Sequence, residues 1–143
     1  MIKNLSVNNT GAVKINKKLI HKIVKKLTED LNFKILGMQI NFINSKEITD
    51  INRKYLKHNY STDIITFNYS ETKSEIDGEI YISVEDAASN SIKFEVTFVE
   101  EILRLVIHGF LHLVGYNDNN STNKVIMKRL ENKLFNQYRV LVS

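Results

Sequence analysis

Residues 107–118 read Ile107-His108-Gly109-Phe110-Leu111-His112-Leu113-Val114-Gly115-Tyr116-Asn117-Asp118. On an α-helix, His108 and His112 stack on one face with their imidazoles converging, because residues four apart are neighbours there. Gly115 lets the chain turn off the helix, which returns Asp118 as a third ligand. Three protein ligands around an ion that prefers four leave one position for water, the arrangement of a catalytic rather than a structural site. The chain has no cysteine, so disulfides and thiolate sites are excluded and a metal must take nitrogen and oxygen donors. The expected cofactor is one zinc ion or another divalent transition metal, held by His108, His112 and Asp118.

The helix that must carry these residues runs from 98 to 114 and opens with a capping box, Thr97 followed by Glu100. It is apolar almost all round, as a helix buried at the centre of a domain is. At about 100° per residue its polar residues Thr97, Glu101, Arg104, His108 and His112 fall in one narrow stripe ending at Gly115. An unsatisfied polar group in such a place costs roughly 2 kcal/mol or more, and a metal with its water satisfies the histidines. Arg104, one turn before His108, has two readings. It clamps a scissile phosphate, which makes it a catalytic candidate beside His108 and His112, or it pairs with Glu101 three residues before it.

Around this helix the sequence spells out an α+β fold, a small mixed β-sheet packed by helices. Residues 16–32 form an amphipathic helix capped by Asn16, with Leu19, Ile20, Ile23, Val24, Leu27 and Leu31 at helical spacing. Its lysines, 17, 18, 22, 25 and 26, read as a solvated face or, less favoured, an RNA-binding one. Residues 37–43 alternate as a strand. Residues 46–56 form a short helix with Ser45 as cap and Ile48, Ile51 and Tyr55 on one side. Segments 62–69 and 78–84 are strands that residues 70–77 close into an antiparallel hairpin. Residues 84–93 form another short helix, and 121–138 a last one with Ile126, Leu130 and Leu134 on its buried face. No proline, repeat or low-complexity linker divides the chain, so residues 1–143 form a single domain. The net charge of +4 is compatible with a nucleic-acid partner without requiring one. No apolar run approaches the roughly 20 residues of a membrane span, and Met1-Ile2-Lys3-Asn4-Leu5 lacks the apolar core of a secretory signal. A cytoplasmic protein is expected.

The pattern His-x-x-x-His-x-x-Gly-x-x-Asp also resembles the extended zinc-peptidase motif, but Gly109 stands where those enzymes carry a glutamate as general base. That substitution argues against proteolysis and leaves a metal-bound hydroxide as base or nucleophile. A second resemblance is more specific. His108-Gly-x-Leu-His112-Leu-x-Gly-Tyr-x-Asp118 resembles the motif of the YbeY family of metal-dependent endoribonucleases. The likeness continues in Ile51-Asn52-x-x-Tyr55, in Thr62-Asp63-Ile64-Ile65-Thr66-Phe67, in Gly78-Glu79-Ile80-Tyr81-Ile82-Ser83 and in Met127 and Glu131, over about residues 40–135.

The resemblance implies a single-strand-specific endoribonuclease acting in ribosomal RNA processing, at the 3′ end of 16S rRNA, and in ribosome quality control. Single-stranded RNA and the small ribosomal subunit would be its partners. Two departures stand out. The family motif usually ends in Asp-His, whereas this chain has Asn117-Asp118, so a carboxylate replaces the third imidazole. The family commonly has an arginine after the tyrosine of the central helix, where this chain has Leu56; Arg53, Lys54, Lys57 and Arg104 are the cations left for that role. These departures keep open a non-catalytic, ribosome-associated metal-binding factor, and a peptidase-like hydrolase stands behind it. His21 and His58 read as ordinary residues, Asp63 as a turn cap or a support for the site, and Tyr116 as packing. Family analogy puts Glu79 on a strand beside the site.

Overall fold

The computed structural model describes residues 1–143. Its elements, in order, are β1 (Leu5–Asn9), α1 (Lys17–Asp30), β2 (Lys34–Ile43), α2 (Ser45–Leu56), β3 (Ile64–Asn68), β4 (Glu75–Ser83), α3 (Val84–Lys93), α4 (Phe98–Leu113) and α5 (Ser121–Tyr138), followed by one 3₁₀ turn (Arg139–Leu141). The strands form one mixed sheet in the order β1-β2-β4-β3. β1, β2 and β4 run parallel, and β3 pairs antiparallel with β4. The α+β expectation and the antiparallel hairpin both hold.

Register puts Val7, Ile40 and Ile80 side by side across β1, β2 and β4, an apolar row that ends at Thr66 of β3. Ile20, Ile23, Val24 and Leu27 of α1 and Leu103, Val106, Ile107 and Phe110 of α4 belong to the same buried cluster. The opposite face carries a small second cluster of Ile43, Ile48 and Ile65, with Phe67 and Tyr81 packed against it. α4 is the central helix, touching α5, α3, α1, β3 and β4. It packs tightly on the sheet at Gly109, where a Cβ would lie 3.0 Å from Ile80 Cδ1 and 3.1 Å from Ile64 Cδ1.

Several boundaries differ from the sequence reading. β1 escapes periodicity because only Leu5 and Val7 of its five residues are apolar; it is an edge strand with Ser6 and Asn8 facing out. β2 and β4 begin three residues earlier than their alternation suggests, since the register shifts between Ile35 and Gly37. The cap of α2 is Asn44, whose side chain accepts from Glu47 N–H, in place of Ser45. Tyr55 of that helix is exposed. The buried face of α5 is Met127, Glu131, Leu134, Phe135 and Tyr138, while Ile126 is 48% exposed. Counting only apolar residues shifts that face, because its central member is a carboxylate. No helix is long and apolar enough to cross a membrane.

Candidate metal centre

Helix α4 is fixed at both ends by side-chain and turn chemistry. At its start, Thr97 Oγ1 accepts from Glu100 N–H and the Glu100 carboxylate accepts from Thr97 N–H, so the capping box is complete. At its end, Gly115 N–H donates to His112 C=O and Tyr116 N–H to Leu111 C=O, the paired bonds of a Schellman turn. Gly115 adopts φ +105°, a left-handed conformation that favours glycine. The chain therefore reverses directly after the second histidine and returns Asp118 towards the helix face. Asn123 of α5 donates to Asn117 Oδ1 at 2.9 Å, which pins that returning loop.

His108, His112 and Asp118 come together as expected, with one potential ligand atom of each within 4.8 Å of the others. The two imidazole Nε2 atoms lie 3.2 Å apart. Two nitrogens bound tetrahedrally to one zinc at about 2.05 Å are about 3.3 Å apart, so the pair is spaced for a shared ion. His108 Nδ1 lies 2.6 Å from Glu131 Oε1, which commits that nitrogen to the carboxylate and leaves Nε2 for a metal. Burial, reinforced by the nearby His108, lowers the pKa of His112, which keeps its imidazole in the neutral form that ligation requires. The donor set of two imidazoles and one carboxylate fits a divalent transition metal.

Glu131 is the functional residue that spacing alone did not assign. Its side chain is 4% exposed and also accepts from Arg104 at 3.2 Å and from Lys128 at 3.1 Å. Burial pushes its carboxyl up, but the hydrogen bond and charge of His108 and the Lys128 ammonium outweigh burial and hold the pKa at about 2. A charged glutamate on the apolar face of α5, opposite the histidines, was the available signal. Arg104 does not pair with Glu101. Its Nη1 is bonded to Glu131 and Asn132, and its guanidinium lies 4.2 Å from the Phe135 ring centre. Its Nε and Nη2 carry no hydrogen bond within the chain.

A cleft of about 390 Å³ opens beside His108 and Asp118, lined among others by Asp63, Asn90, Glu101, Arg104, Lys124, Lys128 and Glu131. Asp63 reaches it from the start of β3 and accepts from Asn90 at 3.0 Å, so it braces the cleft wall. Glu79 does not reach it. Strand alternation sends Ile80 towards α4, so Glu79 points to the other face, where it accepts from Tyr81 at 2.7 Å. His21 is buried away from the site and accepts from Ile2 N–H, and His58 stacks on Tyr60. Beside Leu56, Arg53 is bonded to Asp50 and Asn59, and Lys54 lies over the Tyr55 ring.

With this geometry in hand, sequence comparison extends the likeness almost to both termini: the family model described as Endoribonuclease YbeY matches residues 2–139. The chain belongs to the YbeY family. A relative from Chlorobium limicola named endoribonuclease YbeY is 37% identical over 94% of this chain and 92% of its own length. One from Karelsulcia muelleri with the same name is 45% identical over 65% of this chain and 67% of its own. The solution structure of a Thermotoga maritima protein superposes with a TM-score of 0.61 at 27% identity, covering 95% of this chain and 92% of that one. The YbeY match thus includes β1 and α1, which lie outside the residues whose pattern first resembled the family.

Proposed function

We propose that this chain is a metal-dependent endoribonuclease that cuts single-stranded RNA during ribosomal RNA maturation in the cytoplasm, with the small ribosomal subunit as its setting. The observation that carries the reading is the convergence of His108 Nε2 and His112 Nε2 at 3.2 Å, with His108 Nδ1 secured by Glu131. It stands in a chain whose relatives are named endoribonucleases. His108, His112 and Asp118 hold the ion, and zinc is the metal that their chemistry suits best. When bound, the ion supplies a polarised phosphoryl oxygen and a water acidic enough to attack at neutral pH.

The protein's own residues do the remaining work. Glu131 orients His108 and raises its basicity. Arg104 is clamped by Glu131, Asn132 and Phe135 with Nε and Nη2 left over, so it presents two N–H directions to a phosphate without further reorganisation. Lys124 and Lys128 add positive charge along the same wall of the cleft. Gly109 faces Ile64 and Ile80 of the sheet, so the position that carries a peptidase's general base points into the core. The catalytic reading is tested by stripping and restoring the metal. Cleavage of single-stranded RNA should vanish with a chelator, return with stoichiometric zinc, and be absent from His112→Ala. Cleavage independent of metal content would leave only a non-catalytic RNA-binding role.

A further inference from the structure

Two turns of α4 before His108, about 10.5 Å along its axis, Glu101 faces the cleft from a position only 2% exposed. Its Oε1 is buried and has no hydrogen-bond partner. Its Oε2 accepts from Asn90 Nδ2 at 3.5 Å, and the same nitrogen donates to Asp63 Oδ2 at 3.0 Å. Both N–H groups of the Asn90 amide are thereby committed to carboxyl groups. Asn90 Oδ1 and Glu101 Oε1 remain, and both can accept.

A buried acceptor without a donor is costly, and a ligand bearing N–H groups removes that cost. Around these acceptors the cleft offers apolar surface from Ile64 and Leu105 and the Phe94 ring, which is 55% exposed. Exposed aromatic rings on such a wall are stacking surfaces for bases of single-stranded nucleic acid. The cations Arg104, Lys124 and Lys128 line the same cleft.

We propose that this end of the cleft is a nucleobase subsite, in which Glu101 and Asn90 select a base carrying an exocyclic amino group while Phe94 stacks on its ring. The proposal rests on the endoribonuclease reading and adds a base preference next to the cut. Adenine, cytosine and guanine each bring an amino group to these acceptors. Uracil brings one ring N–H flanked by two carbonyl oxygens, which would abut acceptors. Burial raises the pKa of Glu101, and a carboxyl group keeps an accepting oxygen in either protonation state.

Cytosine and uracil have the same ring size, which makes them the cleanest comparison. Fluorescent single-stranded octamers of cytidine and of uridine are titrated with the full chain in chelator, and their cleavage is then followed with zinc present. The chain should bind the cytidine octamer about tenfold more tightly. Glu101→Gln, which can offer an amide N–H to a carbonyl oxygen, should bring the two to within about twofold while melting as a folded protein. Phe94→Ala, an exposed substitution, should weaken both octamers alike, by about tenfold. Equal binding of the two octamers to the unmodified chain overturns the subsite, as does an unchanged ratio in folded Glu101→Gln or unchanged affinities in Phe94→Ala. If both octamers are cut at equal rates, the ribonuclease reading stands and the base preference falls. If neither is bound or cut, both readings fall.

Discussion

Replacing Glu131 with Gln removes one charge and almost no volume from the wall behind His108. In the native chain Glu131 Oε1 is 2.6 Å from His108 Nδ1, and Arg104 and Lys128 share its Oε2. The fall of its pKa from 4.5 to about 2 corresponds to a preference of about 3 kcal/mol for the charged form, the upper bound on what the variant loses electrostatically. The part felt by a bound metal is smaller, because glutamine still offers an oxygen to His108 Nδ1. Loss of such an outer partner typically costs 10- to 100-fold in metal affinity, about 1.4–2.7 kcal/mol. Competition against a chromophoric chelator at neutral pH should show Glu131→Gln binding zinc 10- to 100-fold more weakly. The same change has a pH signature in metal-free protein. Because the folded pKa is depressed, the stability that Glu131 contributes is present above about pH 4.5 and is lost as pH falls towards about 2. Acid should therefore destabilise the native chain more steeply than the variant across that window. A folded variant with zinc affinity within about twofold of native would refute the orienting role of Glu131.

Other expectations follow from single contacts. Gly115→Ala forces a side chain onto φ +105° and a Cβ to 2.7 Å from Lys73 Cε, and should cost about 1–2 kcal/mol in denaturant unfolding. Gly109→Glu drives a carboxylate against Ile64 and Ile80; it should lower stability by roughly 3 kcal/mol or more in thermal melts and confer no peptide cleavage. Arg104→Lys keeps the charge but loses the unbonded Nε and Nη2 donors and the stacking on Phe135. It should slow RNA cleavage about tenfold or more at unchanged zinc content. Protonation of His112 competes with the metal, and burial lowers its pKa, so zinc retained after dialysis should fall only once the pH drops below the ordinary imidazole range.

Much of this was legible in the sequence because the signals were redundant. The capping box, the apolar girth of α4, its one polar stripe and the Gly115 turn all specify the same helix, and both histidines of the candidate metal site ride on it. Glu131 and Glu101 were harder to read for a shared reason. Each is a buried carboxyl with partners from another helix: His108 and Arg104 lie more than twenty residues from Glu131, and Asn90 lies on a different helix from Glu101. Spacing within one helix finds ligands four residues apart, but it does not find the carboxylate that a second helix brings behind them. β1 was missed because an edge strand with two apolar residues leaves little periodicity. The strand of Glu79 does run beside α4, as family analogy implied, but proximity of a strand does not determine which face a side chain occupies, and alternation gives the face towards α4 to Ile80.

The proposed chemistry needs one ion held by His108, His112 and Asp118. The most direct test is metal analysis of the full chain after purification without chelator and after reloading with excess zinc, beside His112→Ala and Asp118→Ala. The native chain should carry one tightly held zinc per molecule, while His112→Ala and Asp118→Ala lose it and remain folded. Zinc content that is unchanged in folded His112→Ala, or a native chain that takes up none on reloading, would contradict it.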